Sequence, residues 1–164
     1  RHMGLRIGMG TDTSPPDMIL NMQVGMILCR VLAGTAAACR SEDFYDAATI
    51  GGADALGRPD LGRLQPGACA DITVFPLGLP HQGQAIDPIQ TMMLAGQGRD
   101  FSTVVVDGRF VVEDGRVRGV DEAADTARAQ AQFERVMAQY PDRTHGHPPA
   151  SEIFSSSYPV DRAP

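Results

Sequence analysis

The sequence predicts an α/β chain in which a short strand and two helices precede a small β-meander and a terminal helix. Three observations predict it. Leu5, Ile7 and Met9 alternate with Arg6, Gly8 and Gly10, the period of a strand with one apolar face. Met18, Ile19, Met22, Met26, Ile27, Val31 and Leu32 then recur at helical spacing over more than one face. From Leu61 the period returns to two, and Asp107-Gly108 and Asp114-Gly115 punctuate it as hairpin turns.

Taken in order, the strand closes in Thr11-Asp12-Thr13-Ser14-Pro15-Pro16, where Ser14 is expected to cap the first helix and Pro16 to sit in its first turn. Ser41-Glu42-Asp43 starts a second helix that Gly57 should stop, and Gly51-Gly52 within it signals close packing or a break. Strands are expected at 70–75, 104–106 and 110–112 and around Val117. Residues 76–99, rich in Gly, Pro and Gln, read as a long loop excursion. Asp121 should cap a last helix with Ala129, Phe133, Val136, Met137 and Tyr140 on one stripe, ended by Pro141. The Pro- and Ser-rich remainder from Asp142 reads as an extended or disordered tail.

Composition narrows the function classes. The chain of 164 residues carries a formal charge of −6, has no lysine, and scatters its arginines, which argues against a nucleic-acid footprint or a polybasic membrane patch. The most apolar stretch, 18–38, is interrupted by Asn21, Gln23, Gly25, Arg30 and Gly34, so it reads as a buried helix and not a membrane span. Cys29, Cys39 and Cys69 are odd in number and form no CxxC pair; reduced, cytoplasmic thiols are the expectation, with Cys29 and Cys39 as buried apolar side chains. Arg1-His2 reads as a cloning remnant before Met3 or as the edge of a cut from a longer protein.

Two segments are more specific. Ala48-Thr49-Ile50-Gly51-Gly52-Ala53-Asp54-Ala55-Leu56-Gly57 leads into Leu61-Gly62-Arg63-Leu64-Gln65-Pro66-Gly67-Ala68-Cys69-Ala70-Asp71-Ile72. Small residues there suit close helix packing, Gly67 suits a tight turn, and Asp71 can accept from turn backbone. The pair resembles a hallmark of the amidohydrolase superfamily, in its cytosine-deaminase and chlorohydrolase branch, and the likeness continues through Asp87-Pro88-Ile89 and the two hairpins, over roughly residues 4–120. Ala68 departs from it, since relatives often carry lysine there.

The resemblance implies the C-terminal end of a metal-dependent hydrolase TIM barrel, its last strand and helices, followed by part of the family's β-sandwich domain and a C-terminal helix. The corresponding boundaries are 1–58, 59–120 and 121–164. Ile7-Gly8-Met9-Gly10-Thr11-Asp12 would then be the last barrel strand, ending where barrel active sites lie. The family's matching aspartate helps hold the metal and takes a proton from the attacking water, which makes Asp12 the expected catalytic and metal residue. Taken alone, an Asp before Ser-Pro-Pro is more often a turn or cap residue. The rest of the metal site is not in this chain, so the resemblance implies a divalent metal, zinc or alternatively iron, in the full-length enzyme and none on this fragment.

Other candidates carry less. His145-Gly146-His147 mimics the family's HxH pair but follows a helix in a Pro-rich tail, and His81 has no carboxylate near it in sequence. Met18, Met22 and Met26 could line a pocket for a flat heterocycle, although core filling is the commoner use. Gly8 and Gly10 lack the third glycine or GK[ST] of a phosphate loop.

The expected function is the C-terminal part of a hydrolase acting on C–N or C–Cl bonds of a small cyclic compound, inactive alone. Its expected partners are a small-molecule substrate, the missing N-terminal barrel portion and a second copy of itself. The alternatives are a non-enzymatic assembly subunit and a dihydroorotase- or hydantoinase-like amidase. The self-association follows from the strand's unpaired edges and the many-sided first helix, with the meander and the last helix expected to form the self-contained core.

Overall fold

The computed structural model describes residues 5–12, 16–85 and 87–158. It forms two compact units, Arg1–Arg118 and Gly119–Pro164. Among the described residues, no helix is long and apolar enough to cross a membrane.

The first unit is organised around α1 (Met18–Ala33). Ser14 lies outside the described residues, and the cap is Asp17, whose Oδ1 accepts the Leu20 N–H at 3.1 Å. Pro16 therefore precedes the cap and does not occupy the first turn. Ile19, Met22 and Met26 fall on one stripe and are buried. They meet Met92 and Met93 of the helix Pro88–Ala95, where sequence reading expected only loop. That helix has its own start signals: Asp87 accepts the Gln90 N–H at 2.7 Å, and Pro88 occupies the first turn. The methionine series thus serves as core. Each such side chain withdrawn from water contributes about 1.5–3 kcal/mol.

The predicted second helix is two helices, α2 (Ser41–Ala48) and α3 (Ile50–Ala55). Thr49 interrupts them with φ −122° and ψ −97°, and its Oγ1 donates to the Tyr45 carbonyl at 2.8 Å. Arg40 and not Ser41 is the cap position; Asp43 accepts the Arg40 N–H at 3.2 Å. Phe44, Tyr45 and Ala48 close one side of the methionine core. We number the helix Pro88–Ala95 α4; a single 3-10 turn, Gly98–Asp100, follows it.

The meander forms as its turn residues require. Strands β1 (Ile72–Val74), β2 (Thr103–Val106), β3 (Arg109–Glu113) and β4 (Arg116–Val117) pair antiparallel in chain order. Register runs Ile72 to Val105 and Val112 to Val117, with a bulge between Val104 and Val105. Asp107 and Gly108 have φ of 49° and 74°, and Asp114 and Gly115 have 49° and 73°, the paired positive values of type I′ turns. Asp71 accepts the Asp107 N–H at 2.8 Å, and Gly67 turns at φ 85°, both in the roles their sequence context suggested.

In the second unit α5 (Glu122–Arg143) is capped by Asp121, which accepts the Ala124 N–H at 3.0 Å. The helix continues past Pro141, the expected stop, to Arg143. Proline removes one donor but comes only in the last turn, and Thr144 Oγ1 donates to the Tyr140 carbonyl at 2.8 Å just there. The expected extended tail instead forms α6 (Ala150–Ile153), with Phe154 edge-on to Tyr140 at 5.6 Å between ring centres. No residue of α5 is buried. The buried cluster belongs to α1 and α4, because that is where large side chains sit at matching intervals.

The close approach between residues 5–10 and α3 generates a test. A Cβ on Gly51 would overlap the Ile7 carbonyl oxygen, and one on Gly8 would lie 3.0 Å from the Gly52 Cα. Gly51→Ala should therefore lower stability by about 1–3 kcal/mol, read as a fall in the urea midpoint at unchanged slope. A neutral Gly51→Ala would show that the segment does not pack on α3 in solution.

Candidate functional site

Residues 5–12 carry no regular secondary structure and have no sheet partner among the described residues, where a strand was expected. Their support comes from helices. Met9 donates its N–H to the Ala47 carbonyl at 2.9 Å, and Arg6 Nη1 donates to the Asp54 carbonyl at 2.9 Å. Gly25 of α1 admits the Phe44 ring and the Met9 methyl to within 2.9 and 3.1 Å of where its Cβ would be. A cavity of about 640 Å³ remains beside the segment, lined by Ile7, Met9, Phe44, Ala47 and Ile50 among others.

At the end of this segment Thr11 is half-buried and Asp12 is exposed. Asp12 has φ 54°, the left-handed region that L residues enter at a cost and that Asp tolerates better than most. Its side chain is exposed to solvent. Among the described residues, no three His, Cys, Asp or Glu side chains converge to hold a metal ion. One carboxylate does not meet the need of a catalytic zinc for about three protein ligands, so these residues do not by themselves fit the metal that the family implies.

The histidines serve other ends. His147 has φ 51°, and its Nδ1 lies 2.8 Å from the Pro141 carbonyl, where it closes the end of α5. His81 does find a carboxylate, 19 residues on: its Nε2 lies 2.8 Å from Asp100 Oδ2. The same oxygen accepts the Gln97 N–H at 2.9 Å. Burial pushes the Asp100 carboxyl up, but the bonds from His81 and Gln97 outweigh it and hold the group below its ordinary value. The neighbouring Gln82 is buried; it accepts from Leu79 N–H at 3.2 Å and donates to the Pro76 carbonyl at 3.2 Å. The part of the excursion ahead of α4 is a clasped loop.

The cysteines depart from expectation. Cys29 and Cys39 are half-buried and paired in a disulfide, with Cα atoms 6.4 Å apart. Spacing gave no sign of it, because the chain reverses between them. Cys69 is the free thiol. It donates to Asp60 Oδ2 at 3.3 Å, and Arg58 grips the same carboxylate through two bonds of 2.8 and 2.6 Å. That hydrogen bond to Asp60, with burial, pushes the Cys69 thiol up, which disfavours it as a nucleophile.

Sequence reading also missed Asp17 as a junction. Its Oδ2 accepts the Gly98 N–H at 2.9 Å across 81 residues, while its Oδ1 caps α1. The Pro-Asp step directly before an apolar run was the available signal, overshadowed by Ser14.

Residues 1–111 match the amidohydrolase family. The chain belongs to that family. Among its relatives, a 5-methylthioadenosine/S-adenosylhomocysteine deaminase of Natronomonas pharaonis is 33% identical over 147 residues, 87% of this chain and 33% of that protein. One from Pelotomaculum thermopropionicum is 34% identical over 138 residues, covering 82% and 32% respectively. The amidohydrolase chain thus spans about a third of the length of these relatives. Among solved structures, atrazine chlorohydrolase from Arthrobacter aurescens, complexed with zinc, superposes with a TM-score of 0.70 at 26% identity, covering 79% of this chain and 30% of the other. An adenosine deaminase from Xanthomonas campestris with bound zinc shares the fold at a TM-score of 0.69 and 24% identity, covering 74% and 28%.

The Asp100 clasp makes a pH prediction. A carboxyl held below its unfolded value contributes stability that is complete above about pH 5 and is lost as pH falls through the folded value. Asp100→Asn should be less stable near neutrality, and its urea midpoint should fall less between about pH 5 and pH 2. Parallel pH profiles for the two proteins would refute a contribution from the clasp.

Proposed function

We propose that this chain is the C-terminal part of a metal-dependent amidohydrolase that deaminates or dechlorinates a small heterocyclic compound. In this reading residues 5–12 are the last strand of a TIM barrel, and Asp12 stands at its active-site end. What supports the reading is the exposed Asp12 carboxylate, set by a left-handed backbone at the end of a segment fixed against α2 and α3, within the stretch matched by the family. The deaminase relatives favour C–N over C–Cl cleavage. The cytoplasm is the proposed setting.

Asp12 would contribute a hard oxygen to a divalent metal, zinc by analogy with the neighbouring structures or alternatively iron, whose other ligands come from barrel segments outside this chain. When bound, that metal supplies Lewis acidity and an activated water. The chain's own contribution is the proton acceptor at the Asp12 carboxylate and the bonds from Met9 and Arg6 that hold the preceding segment against α2 and α3. Alone, the chain is proposed to be inactive.

In the completed barrel, Asp12→Asn should lower kcat by about 10²–10⁴-fold with folding nearly unchanged, since the amide keeps the size but cannot accept the proton. A rate within about tenfold of wild type would reduce Asp12 to a turn residue.

For the isolated chain we propose self-association through its first forty or so residues. Val24, Ile27, Leu28, Val31 and Leu32 of α1 are exposed, as are Leu5 and Ile7, an apolar surface that water disfavours. Light scattering over a dilution series should show a dimer or larger species that Ile27→Asp dissociates. A monomer at micromolar concentration, indifferent to that substitution, would overturn this.

A further inference from the structure

We propose that Cys29 and Cys39 are a reversible redox pair, a staple across the α1–α2 connection that closes by exchange with low-molecular-weight disulfides and opens with dithiols. The inference stands apart from the proposed hydrolase activity.

The connection is folded back by backbone and side-chain hydrogen bonds that bring the two sulfurs together. α1 ends at Gly34, whose N–H donates to the Val31 carbonyl at 3.2 Å, and Thr35 donates to the Arg30 carbonyl at 3.2 Å. Ala38 then donates back to the Thr35 carbonyl at 3.3 Å, and Arg30 Nε holds the Ala38 carbonyl at 3.4 Å. Each bond shortens the path between residues 29 and 39. The resulting Cα separation of 6.4 Å lies inside the range a disulfide spans. None of these hydrogen bonds involves a sulfur, and in this proposal they hold the two thiols at high effective concentration when the bond is open.

Access and reactivity agree with reversibility. Both cysteines are half-buried and residues 31–37 are exposed, so a small disulfide can reach the pair. Arg30 donates its Nε to the Ala38 carbonyl beside Cys39, and Arg40, the next residue, pairs with Glu42 at 2.7 Å, so neither side chain blocks the sulfurs. Cys39 has φ 58°, in the left-handed region, at the point where the chain turns back toward Cys29. Cys69, hydrogen-bonded to Asp60, is a poor competitor for the exchange.

The chemistry balances without a further reactant. One cysteine thiolate displaces a thiol from the small disulfide, forming a mixed disulfide; the second thiolate attacks the protein sulfur of that bond and displaces the other thiol. Two electrons pass to the small disulfide, and the two cysteine protons end on the released thiols. The staple also reaches the candidate site, because Cys39 lines the same cavity as Gly8 and Met9 of the segment that carries Asp12.

The test is equilibration of the folded chain in glutathione buffers of graded ratio, followed by acid quench, alkylation under denaturing conditions and tryptic mapping. Cleavage after Arg6, Arg30 and Arg40 puts Cys29 on peptide 7–30 and Cys39 on peptide 31–40, so linkage appears as one joined mass. The expected result is a joined 7–30/31–40 species that rises with the oxidised fraction and disappears in excess dithiothreitol without unfolding, while Cys69 is alkylated throughout. The oxidised chain should also melt several degrees above the reduced one, a difference that Cys39→Ser abolishes. Cys29 and Cys39 alkylated at every ratio, linkage through Cys69 or between chains, or a bond that dithiothreitol opens only after denaturation would each overturn the proposal.

Discussion

The contact of α1 with α4 is what the first unit depends on. Met22 and Met26 on one helix meet Met92 and Met93 on the other, and no residue of the meander or of α5 is buried. Unbranched thioethers fill an irregular space between two helices that lack a matched stripe of leucines, and they do so without demanding one rotamer. The polar rim of this contact fixes its register. Asp17 joins the start of α1 to the 3-10 turn after α4, and Gln23 donates to the Gly96 carbonyl at 3.3 Å. Phe75 and Phe101, edge to face at 5.4 Å, carry the same core to the base of the meander.

That arrangement explains which parts of the molecule the sequence disclosed. The Asp-Gly turns, the Asp121 cap and the Met18–Ala33 helix are local: a few adjacent residues determine them, and periodicity finds them. The helix Pro88–Ala95 was hidden because its eight residues, Pro-Ile-Gln-Thr-Met-Met-Leu-Ala, are embedded in Gly, Pro and Gln and owe their order to Met26 and Ile19, seventy residues away. Thr49 splits a pattern that reads as one helix, since the break answers Gly51 and Ile7 coming together in space.

The candidate site divides the same way. Asp12 could be singled out because a family likeness lay downstream of it, whereas its left-handed backbone and its exposure belong to the three-dimensional setting. His81 with Asp100 and Cys29 with Cys39 are pairs made by chain reversals, and linear spacing carries no trace of either. The HxH run was informative in the opposite sense. A motif that supplies metal ligands after a strand becomes, after a helix, a way to satisfy the Pro141 carbonyl.

The two Asp-Gly turns also bear on the order in which the chain assembles. β2, β3 and β4 are neighbours in sequence as well as in the sheet, so their hairpins close short loops at little entropic cost and on the microsecond scale of such elements. The Asp17 to Gly98 bond and the methionine contact must close about eighty residues at once. By contact order, the hairpins are the early-forming elements and the docking of α1 on α4 the later one. During that interval the apolar faces of α1 are open on every side, the interval in which an unpartnered chain is most prone to aggregate.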